Sequence, residues 1–319
     1  MKFKHSLQVL IDNFSVTYKL LLYKLVIALI TFAMSTAILY PLWHSLTGLA
    51  EFKSLIDGVK DFFNHLIEGN TEELTNIREM VESALDSISS LINSHTLILG
   101  LSIAGLILIR LIGMFLSSIG NYSSAAVIND KMALRAQSPF FITLFRHLKS
   151  SSLYSLMYAP LSFLYDVACV ALMYLIVFKV LVFVPLFAQL FLFATTIVFA
   201  IAVKLTFATD WLPALIRGKK RQLEAFAYTF KRKNKKTFNV LSNFVVLTLI
   251  IFALNVAAAV FTFGVGLLVT VPASYVVLNC FQLVNYYDRE ELKYFLDKNT
   301  IIKPEKEEVV SREQFFKGE

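Results

Sequence analysis

The chain has 319 residues, of which 57% are hydrophobic, 14% aromatic and only 17% charged; soluble domains run at about 45–50% apolar and about 25% charged. That balance excludes an ordinary soluble globular protein and predicts a polytopic membrane protein. The net charge of +7 does not point to nucleic acid, because the basic residues cluster at the ends of apolar runs and form no patch interleaved with aromatics. Anionic membrane lipids are the expected partner.

Residues 1–17 carry Lys2 and Lys4, then Leu7, Leu10, Ile11 and Phe14 at three- and four-residue spacing. This predicts a helix that lies in the cytoplasmic interface or extends the span that follows. The first span covers 18–43 and ends in Tyr40 and Trp43, residue types suited to the headgroup belt. It far exceeds the roughly 7–15-residue apolar core of a signal peptide, so it is expected to stay in the membrane. Lys19 and Lys24 at its start place the N-terminus inside. Residues 44–95 are rich in acid and are expected outside. One apolar stripe runs through Phe52, Ile56, Val59 and Phe63, and a second through Leu74, Ile77, Val81 and Leu85, with Gly69-Asn70 between them and Thr71 as the second N-cap. They predict a helical hairpin whose apolar faces pack together, lie on the outer leaflet, or dock a protein partner.

A second span at 96–118 carries Arg110 and the small-residue pair Gly113 and Ser117, which suits a helix contact. Residues 119–152 set Lys131, Arg135, Arg146 and Lys149 against Asp130, the pattern of a cytoplasmic loop. Within it Phe140, Phe141, Leu144 and Phe145 predict an apolar face in the inner interface. The third span, 153–178, holds Pro160 and Asp166, and the fourth, 180–203, holds Pro185. Residues 204–237 then carry the densest positive charge in the chain. Lys219, Lys220, Arg221, Lys231, Arg232 and Lys233 are the expected lipid-headgroup contacts, beside a helical face of Leu223, Phe226, Ala227 and Phe230. Spans five and six, 238–262 and 267–287, meet outside at Phe263-Gly264-Val265-Gly266, and 288–319 reads as a partly helical, fraying cytoplasmic tail.

The run Trp-Leu-Pro-Ala-Leu-Ile-Arg at 211–217, the basic amphipathic helix from Ala225-Phe226 to Phe230-Lys231, the Gly-x-Gly hairpin tip and Pro272 in the return helix resemble the membrane domain attached to some bacterial glycerophosphodiester phosphodiesterases, and related stand-alone six-helix proteins. The resemblance covers roughly Thr209 to Leu292. It implies a bacterial integral membrane protein; the catalytic domain of that fusion family has no counterpart here, so its activity does not carry over.

No catalytic constellation is present in the sequence. Walker-type phosphate loops, Gly-x-Ser-x-Gly and His-Glu-x-x-His are absent, and His5, His44, His65, His95 and His147 lack metal-ligand spacing. Cys169 and Cys280 both fall inside predicted spans, so neither a disulfide framework nor a cofactor is expected. Intramembrane polar groups remain, chiefly Arg110 and Asp166, with Gln189, Asn255, Asn279 and Gln282. Counted at about 1.5 Å per residue, Arg110 lies roughly 12 Å from an inner boundary near Ser118, and Asp166 matches that depth if the third span enters near Tyr158, which makes the two candidates for an ion pair; entry at Leu153 instead lifts Asp166 by about 7 Å and leaves Arg110 to snorkel alone to the inner headgroups. The expected fold is an all-α bundle of six transmembrane helices with interfacial amphipathic helices and both termini cytoplasmic. The expected function is that of a non-enzymatic, multi-pass protein of the cell membrane that organises lipids or partner proteins; the alternative is a small transporter or channel component with a polar intramembrane site.

Overall fold

A computed structural model describes residues 2–46, 56–57, 60, 96–135, 138–176, 186–217, 220–230, 234–297, 299–306 and 308–317. Its helices are α1 (Lys2–Asp12), α2 (Phe14–Leu46), α3 (Thr96–Met132), α4 (Phe140–Arg146), α5 (Leu148–Tyr174), α6 (Leu186–Ala208), α7 (Trp211–Ile216), α8 (Gln222–Phe230), α9 (Asn234–Phe261), α10 (Leu267–Arg289) and α11 (Arg312–Lys317). Six helices among the described residues are long and apolar enough to cross a membrane: Phe14–Pro41, Leu99–Met132, Leu148–Tyr174, Phe191–Ile216, Thr237–Phe261 and Leu267–Arg289. In hydrocarbon every backbone amide must be satisfied within its own segment, which is why such apolar runs fold as unbroken helices. The protein is an all-α polytopic membrane protein.

The chain forms two compact units. One comprises 28–113 and 166–195. In it α2 and α3 approach closely at glycines: a Cβ on Gly105 would lie 2.7 Å from Ile38 Cδ1, and one on Gly113 would lie 3.1 Å from Thr31 Cγ2. The expected small-residue contact is therefore made by Gly113 against the first span.

The other unit comprises 1–27, 114–165 and 196–319. Its core is aromatic, with Tyr122, Phe140, Phe244, Phe281, Tyr286, Tyr287 and Tyr294 fully buried. Here α3 runs on to Met132, through the first part of the stretch expected to be a loop. Ile119, Tyr122, Ala126 and Ile128 are buried along this extension, so packing holds it helical although its polar residues end the apolar run. The α9–α10 hairpin turns where Gly264 adopts a φ of +88°, a conformation glycine takes at no steric cost. The tail corrects the expectation of fraying. After α10 it forms a three-stranded antiparallel sheet, β1 (Tyr294–Phe295), β2 (Thr300–Lys303) and β3 (Glu308–Ser311), with Ile301 opposite Val310. Tyr294, Leu296, Ile301 and Ile302 are buried, and α1 packs along α10 beside them.

Candidate lipid-contact site at the basic end

The termini and the basic segments meet in this second-described unit, organised around one buried acid. Asp210 follows α6 and is fully buried between Thr209 and Trp211. A carboxylate in that position needs a charged partner, and Arg289, the last residue of α10, donates to its Oδ2. The same guanidinium lies 4.0 Å from the centre of the Tyr228 ring, and the Lys220 ammonium lies 2.8 Å from it, so two cations share one aromatic face system. The Tyr228 hydroxyl donates to Glu290. Burial, with the hydrogen bond to that carboxylate, pushes the phenol above its ordinary value.

A second branch starts at Arg217, whose Nη1 donates to the Tyr287 hydroxyl at 3.0 Å; that hydroxyl donates in turn to Asn129 Oδ1 at 3.0 Å. Asn279 Nδ2 reaches Ser124 Oγ at 2.7 Å, again joining α10 to the α3 extension. Two ion pairs fix α1: Lys2 with Asp288 at 2.6 Å and Lys131 with Asp12 at 2.5 Å. Much of the positive charge here therefore holds protein segments to one another.

Two short helices turn a different face outward. On α8, Phe226 packs against Trp211 with ring centres 4.8 Å apart, and Ala225 and Thr229 are buried. Leu223, Ala227 and Phe230, at i, i+4 and i+7, are exposed, and Phe230 stacks on the exposed Phe207. On α4, Phe140 and Leu144 are buried while Phe141, Ile142 and Phe145 are exposed, followed by exposed Arg146 and Lys149. On α4 half of the expected apolar face docks the helix and half stays outside, whereas on α8 Phe226 docks and Leu223, Ala227 and Phe230 stay outside. Exposed Phe and Leu next to Arg and Lys is the surface composition of a helix lying at the membrane interface.

Of the sequence-derived headgroup contacts, Lys220 sits against Tyr228, and Arg221 is exposed, its backbone N–H donating to Glu224 Oε2 at 3.2 Å. Lys219, Lys231, Arg232 and Lys233 lie outside the described residues, as does most of 44–95. Arg110 is exposed on α3 and Asp166 partly buried on α5; among the described residues no ion pair joins them. The intramembrane amide of Asn255 in the α9–α10 hairpin bonds to neighbouring hydroxyls: Thr270 Oγ1 donates to Asn255 Oδ1 at 2.8 Å, and Asn255 Nδ2 to Ser274 Oγ at 3.2 Å. Sequence reasoning missed the Asp210–Arg289 pair and the partner of Lys24, whose ammonium lies 3.1 Å from the centre of the Tyr275 ring within the first span. The available signal for Asp210 was an acid set between Phe207 and Trp211. Among the described residues no three His, Cys, Asp or Glu side chains cluster closely enough to hold a metal ion.

The fold and this site define a six-span membrane protein whose basic end is closed by its own termini. No protein-family model, curated protein or solved structure matches the chain.

Proposed function

We propose that this chain is a non-enzymatic integral protein of the bacterial plasma membrane that organises anionic lipid around its basic, cytoplasmic end. The observation that carries the reading is the pair of helices α4 and α8, each pinned by an inward aromatic and each presenting exposed Phe or Leu beside basic residues. An apolar edge buried in the acyl boundary with basic side chains at headgroup level binds anionic lipid, at about 1 kcal/mol per well-placed Lys or Arg. The transporter alternative draws on ionisable groups within spans, and the mutually bonded side chains of Asn255, Thr270 and Ser274 favour helix association over a water path for that hairpin.

The test is lipid retention. Protein reconstituted into nanodiscs of equal phosphatidylcholine and phosphatidylglycerol is released into mild detergent and examined by native mass spectrometry. Phosphatidylglycerol is expected to be retained preferentially, and the combined Arg146→Gln, Lys149→Gln and Arg221→Gln variant to lower that preference by about tenfold or more. Equal retention of both lipids by the unaltered protein overturns the reading.

A further inference from the structure

Arg110 and Asp166 stand at one depth although they do not pair within the chain. Tyr122 of α3 and Tyr154 of α5 pack with ring centres 6.0 Å apart. As successive spans, α3 and α5 cross the membrane in opposite directions, so stepping back along α3 and forward along α5 climbs the bilayer together. Arg110 lies twelve residues back from Tyr122, and Asp166 twelve residues on from Tyr154, a climb of about 18 Å in each case. Side chains lean toward the N-terminus of their own helix, so the lean that separates each ring from its backbone acts the same way on each charged head.

That depth is near the middle of the bilayer. A Cβ on Gly113 would lie 3.1 Å from Thr31 Cγ2, and Thr31 is the midpoint of the apolar stretch from Tyr18 to Trp43, so Arg110 stands one turn from that midpoint. It is exposed on α3 and, among the described residues, makes no ion pair, hydrogen bond or ring contact. A cation facing outward this far from either headgroup layer is costly, and ionisable groups at such depth pair with one another or line water. The acid of matching depth is on α5. Asp166 is only partly buried, and from Phe163 to Tyr174 that helix has no buried residue, so the outer half of α5 is an open surface around it. A carboxylate accepts about four hydrogen bonds, so the interaction Asp166 has in its own chain leaves lone pairs for a guanidinium.

We infer that two copies of the chain associate about a two-fold axis along the membrane normal, with Arg110 of each copy meeting Asp166 of the other. Rotation about that axis keeps every residue at its own depth, so only residues of equal depth pair across it, and an isologous interface makes each such contact twice. Ile107 and Val170, one turn further out on the same helices and both exposed, close over the pair and shield it from lipid. A lipid phosphate would have to sink to the middle of the bilayer to serve Arg110 equally well, and a foreign acidic helix would have to match a depth that the chain's own acid already matches. The inference concerns the middle of the spans and does not rest on the lipid reading of the basic end.

The experiment counts subunits. The full chain, carrying one fluorophore per copy, is reconstituted into liposomes at high lipid excess, and stepwise photobleaching reads the copies in each particle. Pairs are expected for the unaltered protein. Arg110→Asp sets acid against acid and Asp166→Arg sets cation against cation, so each variant alone is expected to be monomeric. Mixed in equal amounts, the two are expected to pair with one another, since one copy then carries two acids at that depth and the other two cations. The chain carrying both substitutions is expected to pair with itself. A second measurement leaves both charges in place: with Cys169 and Cys280 replaced by alanine, a mixture of Ile107→Cys and Val170→Cys chains is expected to form a disulfide between copies under mild oxidation. Monomeric unaltered protein overturns the inference, and is what a lipid phosphate or a foreign acidic helix at Arg110 would give. Pairing that survives in both single variants overturns it, as does its failure to return in the folded mixture and the folded double variant. Where a charge reversal lowers thermal unfolding too far for counting, absence of the disulfide between copies overturns it.

Discussion

Arg289 at the end of the last span closes on Asp210 at the end of the fourth, a pair 79 residues apart and almost wholly shielded from solvent, with side chains 14% and 0% exposed. Breaking one side of such a pair strands a charge, at a cost of about 3–5 kcal/mol, whereas removing both is far milder. Arg289→Met is therefore expected to lower the thermal unfolding temperature in detergent sharply. Adding Asp210→Asn should restore most of the loss. A double variant no more stable than Arg289→Met would show that the pair does not act as a unit.

The glycines of the second span offer a graded test of close packing. A Cβ on Gly120 would fall 2.5 Å from the Tyr23 ring, whose hydroxyl is held by Leu116 O at 2.9 Å, so the ring is not free to retreat. Gly120→Ala is expected to cost about 1–3 kcal/mol through overpacking. Gly100→Ala meets nothing within 4 Å and should be neutral or stabilise by about 0.5–1 kcal/mol through helix propensity. Equal unfolding temperatures for the two variants would contradict this packing.

The six spans were legible because each is a long apolar run bounded by charge or by turn residues, a signal that needs no tertiary information. The continuation of the second helix to Met132 was not, because Asn121, Ser123, Ser124 and Asn129 look like loop. Part of that polarity serves contacts with α10 that only the fold brings near, Ser124 with Asn279 and Asn129 with Tyr287. The tail sheet was hidden for a related reason: its strands are short and set among charges, so neither alternation nor length marks them. Of the candidate site, the apolar face of α8 was readable, but that Phe226 rather than its neighbours would dock was not. Depth along a helix was likewise computable for Arg110 and Asp166, but depth does not fix the direction a residue faces, and Arg110 faces outward.

The basic loops predict a cytoplasmic basic end, and the hairpin tip is the position at which to test that orientation. Phe263 is 97% exposed at the tip, while Arg221 and Lys306 are exposed on the basic end. With Cys169 and Cys280 replaced by alanine, a cysteine at 263 is expected to react with an impermeant maleimide on intact cells. Cysteines at 221 and 306 are expected to react only after permeabilisation. Reaction at 221 on intact cells would reverse the orientation derived from Lys and Arg placement.

The docking of α1 should depend on pH through His5. Its Nδ1 lies 3.0 Å from the Tyr294 hydroxyl, and burial holds the imidazole below its ordinary value of 6.5, with the amino terminus and Lys4 acting in the same direction and Asp288 against it. The docked state thus binds a proton less readily than the detached one. Stability rises with pH wherever the detached state holds more protons, so the contribution of docking is complete above about pH 6.5 and declines as pH falls from there through the lowered value. Tyr294, pushed upward by burial, stays neutral across this window and does not titrate with it. Hydrogen exchange over residues 2–12, corrected for intrinsic rates, is expected to show protection falling between pH 7.5 and 5.5. In His5→Phe the same interval should be flat. A drop of equal size in His5→Phe would assign the effect to another group.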